Sequence, residues 1–149
     1  MPVPVPATPP TAHVAKVQTH HERAIVRQIN RMRHLHGLRR VHVDARLTRV
    51  ARAHSLSMLR HDVLTHSSFD GSSFALRLRS TGVRPRVGET LAWAPRRSGS
   101  AKTIVSLWMH SPAHRAVLLD GGMRRVGVGR WRGALGAQHG AAITADFSS

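Results

Sequence analysis

The chain has 149 residues, 41% of them apolar, and no cysteine; this is the size of one folded domain, and it excludes both a disulfide framework and a thiolate metal site. Lys and Arg number 23 against 7 Asp and Glu, a formal net charge of +16 carried mainly by arginine, so the field favours an anionic partner such as an acidic cell-surface polymer. With three Trp, three Phe and no Tyr, aromatic platforms for stacking bases are scarce, and specific nucleic-acid binding is not expected.

Residues 1–14 read as a proline-rich leader or linker of polyproline character, without the apolar core of a signal peptide. The folded domain is expected over 15–149. No stretch approaches the roughly 18 consecutive apolar residues that span a bilayer. Val14, Val17, Ile25, Ile29, Met32 and Leu35 recur near helical spacing and stop at Gly37, which predicts a first helix. After the link "LRRVHV", Asp44 is a candidate N-cap for a second helix, with Leu47, Val50, Ala51, His54, Leu56 and Met58 mostly on one face. "HDVLTHSSFDGSS" reads as loop with a turn at Asp70-Gly71, and a short helix follows, capped by Ser72 or Ser73 and ended by Gly82. "RVGETLAWA" is a strand or an extended edge, "RRSGS" a turn, and "AKTIVSLWM" a helix. Pro112 interrupts that helix and can itself begin the next one. "RRVGVGRWRG" alternates as a strand, "ALGAQHG" reads as a hairpin-like loop, and "AAITADFSS" closes the chain as a strand. Helices come first and strands last, which points to an α+β layered domain rather than a parallel α/β sheet.

Three short segments each set one polar residue in an apolar frame: His66 in "LTHSSFDG", Glu89 in "VGETLAW" and His114 in "SPAHR". Two imidazoles and a carboxylate are the ligand set of an open zinc site with a water in the fourth position. The plain alternative is that each is an ordinary solvated or packed side chain. Their separation along the chain leaves only the tertiary fold to join them, and no HExxH helix supports the idea locally.

Longer segments carry a resemblance. "INRMRHLHGL" is similar to an Asn-x-x-Arg…Gly-Leu opening, through Asn30, Arg33, Gly37 and Leu38. "DARLTRVARAHSLSM" matches a second helix, and "THSSFDGSSFALRLRSTGV" a His-then-Asp-Gly-x-x-Phe-x-x-Arg stretch. "VGET" stands where the pattern has Gly-Glu-Asn. "LWMHSPAHRAVLL" matches Trp-Met-x-Ser-Pro-x-His-Arg-x-x-Ile-Leu, and "RVGVG" and "ITADF" fill the last strands. In that order these segments resemble the CAP superfamily, or SCP-like domain, of cysteine-rich secretory proteins, venom antigens and class-one pathogenesis-related proteins, in its cysteine-free bacterial branch. The resemblance runs from about Val17 to Phe147.

It implies a three-layer α-β-α sandwich with a mainly antiparallel central sheet, and a cleft lined by two histidines and two glutamates. His66, Glu89 and His114 fall on three of those positions. Ser111 stands where the second glutamate would be, so that ligand is missing. Thr90 and Val117 replace polar residues of the pattern. His54 is either a satisfied core histidine or a support for the cleft, and Asp146 either reaches the cleft or is a surface acid. His110 is expected to point to the surface and Trp108 into the core. The implied function is that of a secreted, non-catalytic binding domain taking a small lipid-like ligand; the basic charge adds an anionic cell-surface polymer as a candidate partner, and a monomer is expected. No cofactor is required, and a divalent metal such as zinc is an optional occupant. The alternative is a metal-dependent hydrolase acting through His66, Glu89 and His114.

Overall fold

Thr19 and Glu22 start the first helix reciprocally: Thr19 Oγ1 accepts from the Glu22 N–H at 3.2 Å, and Glu22 Oε2 from the Thr19 N–H at 2.8 Å. This helix, α1 (His20–Leu35), turns off at Gly37, whose φ of 69° suits a residue without a Cβ. The computed structural model describes residues 18–96 and 99–149, so Val14, Val17, the 1–14 segment and part of the "RRSGS" turn lie outside the described residues. The link that follows contains a strand the sequence pattern did not reveal, β1 (His42–Val43). Asp44 Oδ1 then accepts from the N–H groups of Arg46 and Leu47 at 2.8 and 3.4 Å and caps α2 (Ala45–Arg60).

Ser73, one of the two expected caps, starts α3 (Phe74–Arg79). "RVGETLAWA" is a full strand, β2 (Val87–Pro95), at one edge of the sheet. Next come α4 (Ala101–Met109) and α5 (Pro112–Leu118), the latter with proline in its first turn. β3 (Arg125–Leu135) and β4 (Gln138–Ser148) are longer than expected. The segment "ALGAQHG" is mostly ladder, closed by a two-residue turn with Gly136 at φ 58°, the first-position glycine of a type II′ hairpin.

The four strands lie in the order β1-β3-β4-β2. β2–β4 and β3–β4 are antiparallel and β1–β3 parallel, so the sheet is mixed rather than purely antiparallel. Strand alternation sorts its two faces. Val126, Val128, Ile143, Ala145 and Phe147 join Ile25, Ile29, Ile104, Val105 and Trp108 in the main core between the sheet and the α1/α4/α5 layer. On the other face Met58 packs on Leu91 and Ala142, and Leu47 on Leu78 and Val83, which seats α2 and α3. The result is an α-β-α sandwich. α2 lies almost on the backbone of β3: a Cβ at Gly127 would stand 2.1 Å from Thr48 N, and one at Gly129 2.1 Å from Arg52 N.

The first segment of the resemblance proves architectural. Asn30 exchanges hydrogen bonds with the backbone of Val41, at 3.0 and 2.8 Å. Arg33, fully buried, donates to the carbonyls of Arg39, Leu118, Asp120 and Met123 at 2.8, 2.8, 3.0 and 3.3 Å. One guanidinium thus ties α1 to the loops before β1 and β3, with its charge met by carbonyl dipoles.

Candidate functional site

Because β2 is an edge strand, side chains from both helical layers can meet around it. Glu89 lies on β2 facing the α2/α3 layer, its side chain fully buried. Its Oε1 is 2.9 Å from His66 Nδ1, carried by the loop after α2, and its Oε2 accepts from Arg77 Nη2 on α3. Arg77 also donates through Nη1 to the His66 carbonyl at 3.0 Å and to Ser68 Oγ at 2.6 Å. One arginine therefore fixes both the carboxylate and the loop that presents the histidine. His54, buried on α2, stands behind that loop with Nε2 2.7 Å from the Thr65 carbonyl.

Protonation follows from these contacts. Burial works to raise the Glu89 pKa, but the His66 and Asp146 side chains and the charges of Arg77 and His54 outweigh it and hold the group below its ordinary value. An ionised carboxylate can only accept, so His66 carries its proton on Nδ1, and in the neutral ring Nε2 bears the lone pair. Burial, followed by the charge of Arg77, lowers the pKa of His54, with Glu89 pulling the other way.

Asp146 sits directly across the ladder from Glu89. It is not a surface acid: it is fully buried, and its carboxyl group meets that of Glu89 from behind the cleft. Burial first, and then the Glu89 carboxylate, push its pKa well up. Of the two acids, Asp146 holds the proton and Glu89 the charge.

From the opposite layer, α5 brings His114 to His66, with ring centroids 6.4 Å apart and planes inclined at 51°. Burial and the neighbouring His66 lower the His114 pKa, which leaves a neutral ring at pH 7. Ser111 occupies the N-cap position one turn earlier and makes no side-chain cap bond. His66, Glu89 and His114 thus form a row, Glu89–His66–His114. Among the described residues no three His, Asp or Glu side chains group so as to hold a metal ion. His110 is exposed, its Nδ1 2.7 Å from the Ser106 carbonyl. Trp108 is core, donating from Nε1 to the Leu91 carbonyl at 2.8 Å. Thr90 and Val117 belong to the other face of β2, where Val117 packs against the core and the buried Thr90 hydroxyl has no partner.

Arg77 went unassigned in the sequence, although it is the arginine of the Asp-Gly-x-x-Phe-x-x-Arg stretch. A cavity of about 410 Å³ adjoins it, lined in part by His54, Phe69 and Asp70. Phe69 stacks there on His61 at 3.8 Å between centroids. No helix among the described residues is long and apolar enough to cross a membrane.

Residues 26–140 match the profile of the cysteine-rich secretory protein family, CAP. The Bacillus subtilis protein YkwD is 30% identical over 111 residues, covering 73% of this chain and 42% of its own length. An extracellular protein from Bacillus anthracis containing an SCP domain has a similar structure, with TM-score 0.72, 23% identity and coverage of 86% of this chain and 40% of the other. An outer surface protein from Borrelia burgdorferi has TM-score 0.71 and 18% identity, with 89% and 96% covered. The chain spans less than half the length of both Bacillus proteins.

Proposed function

The chain belongs to the cysteine-rich secretory protein (CAP) family, and from that premise we propose that it is an extracellular binding domain whose contact point is the His66–His114 pair. The commitment of Glu89 carries this reading. Both of its oxygens are engaged, one by His66 and the other by Arg77, so it orients His66 from behind. That is the relation of a carboxylate to a metal-bound or ligand-bound imidazole. A hydrolase acting through His66, Glu89 and His114 would need that carboxylate free to take a proton from water, which favours binding over catalysis.

His66 Nε2 and the neutral His114 ring suit a divalent ion of imidazole preference, or a hydrogen-bonding group on a small ligand. Two imidazoles on a tetrahedral ion would bring their ring centroids to about 5 Å. The observed 6.4 Å is about 1.4 Å longer, so binding one ion between the rings would require them to move closer together. Such a site has two protein donors and leaves the remaining positions to water or ligand. An extracellular location is supported by the structural relatives described as extracellular and outer-surface proteins.

Zinc titration by calorimetry at pH 7 tests the reading. Saturable binding should disappear in His66→Ala and in His114→Ala, and persist in His110→Ala. Glu89→Gln should weaken it by about tenfold or more, the usual effect of losing a supporting carboxylate. Binding should weaken on acidification as His114, whose pKa lies below the ordinary imidazole value, takes up a proton. Equal zinc binding by the unaltered chain and both histidine variants would defeat the assignment.

A further inference from the structure

Glu89 and Pro95 are six residues apart along β2, so the far end of that strand is about 20 Å from the histidine pair. There a cavity of about 340 Å³ opens, lined by Arg96, Arg130, Arg132 and His139, with Gly99 and Gly140 presenting only backbone. No acidic side chain among the described residues lines it. The β3 pattern makes this unusual: Val126 and Val128 are core on one face of the strand, and by alternation Arg130 and Arg132 continue that same face. A strand that buries apolar side chains thus ends by gathering cations.

Among the described residues no acid of the cavity wall pairs with these cations. Arg130 Nε is buried and has no hydrogen-bond partner, a state that costs free energy unless a ligand supplies the acceptor. Glu22 is beside it but already committed: it accepts from Arg52 Nε and Nη2 at 2.9 and 2.6 Å, from the Thr19 N–H at 2.8 Å and from the Arg130 backbone N–H at 3.3 Å. Burial and the charge of Arg132 lower the Arg130 pKa, Glu22 opposing them. His21 is depressed by burial and by the same two arginines. An acceptor of opposite charge would relieve both groups.

We infer that this cavity is a binding site for a phosphate group carried on a small organic group, either a free phosphomonoester or one unit of a phosphodiester polymer. Several planar guanidinium forks offer more donors than the two oxygens of a carboxylate accept, and phosphate accepts from several at once. The volume lies at the lower end of the roughly 300–1,000 Å³ of small-molecule sites, larger than bare phosphate requires, which leaves room for the carrier. This site is separate from the histidine pair and does not depend on the reading given to it.

The test is calorimetry and phosphorus NMR on the full chain at about 0.15 M salt, with sn-glycerol 3-phosphate and a short poly(glycerol phosphate) as probes. Arg96→Ala/Arg132→Ala removes two exposed cations from the cavity. Arg49→Ala/Arg84→Ala removes two exposed cations elsewhere and holds net charge equal. Saturable binding weakened about tenfold or more by the first pair, and changed less than about twofold by the second, is the expected result. Tighter binding of the polymer per phosphate assigns the site to a polymer; equal binding assigns it to a free monoester. Both outcomes retain the site. Equal losses in the two double variants, or no saturation by either probe up to about 10 mM, overturn it.

Discussion

Replacing Asp146 with Asn should change the pH dependence of stability more than stability itself. Asp146 is fully buried and beside an ionised Glu89, and its pKa is raised, by burial first and Glu89 second. In the unfolded chain the same carboxyl ionises near pH 3.9. Between that value and the raised folded value, the unfolded chain has released a proton that the folded chain keeps. Protonated folded and ionised unfolded states make native stability fall as pH rises, by up to about 1.4 kcal/mol per pH unit for this one group. Asn has the shape of the neutral acid and cannot ionise, so the loss should be absent in the variant. The two proteins should be nearly equal near pH 4, and the variant should gain up to about 2.7 kcal/mol relative to the native chain between pH 4.5 and 6.5. His54 and His114 titrate in both proteins, and their contributions cancel in the difference. Urea unfolding at three pH values across that range, read as midpoint times slope, measures the gap. Parallel pH curves would refute the reasoning, because they would mean that Asp146 is ionised in the folded protein.

Three further outcomes are expected. Arg77→Met should cost about 3 kcal/mol by leaving Glu89 buried and without its guanidinium, and adding Glu89→Gln should recover part of it; additive losses in a double-mutant cycle would show that the two do not act as a pair. Gly129→Ala should cost about 3 kcal/mol or more in thermal or urea unfolding, since the new Cβ meets α2 backbone at 2.1 Å; a loss below about 1 kcal/mol would mean that α2 readily stands off the sheet. Ser111→Glu should tighten zinc about tenfold, or 1.4 kcal/mol, by adding a carboxylate one turn before His114. Ser111 gives up no cap bond in the exchange, and unchanged affinity in a variant of unchanged melting temperature would count against a metal at the pair.

Helix positions were legible because capping and periodicity are local. The Thr19–Glu22 box, Asp44, Ser73 and Pro112 each state their role within four residues. β1 was not legible: two exposed residues carry no alternation, and only β3 at its side makes them a strand. The hairpin was read too loose because Gly133 and Gly140 resemble loop residues, whereas they face each other in the ladder. His66, Glu89 and His114 could be named from the motifs, but the division of labour among them could not. Arg77 competes for the same carboxylate from α3, and Asp146 meets Glu89 only through strand register.

The charge that dominates the composition divides in the same way. Arg33 is spent on four carbonyls that join α1 to the loops around the sheet, and Arg52 on Glu22. Arg77 is spent on Glu89 and the His66 loop. Each of these is buried or nearly so, with its guanidinium hydrogen-bonded inside the fold rather than offered to an external partner. Arg130, by contrast, is drawn into the fold with its Nε unmatched, beside Arg132 and Arg96 in a cavity that no acid among the described residues lines. An even coat of surface arginine would give only a diffuse attraction that salt removes within about a Debye length. Cations gathered around a partly enclosed space keep more of their field, because solvent screens them less. The net charge of +16 therefore does not describe one property. Part of it builds the sandwich, and another part, Arg96, Arg130 and Arg132, gathers at the end of the sheet away from the His66–His114 pair.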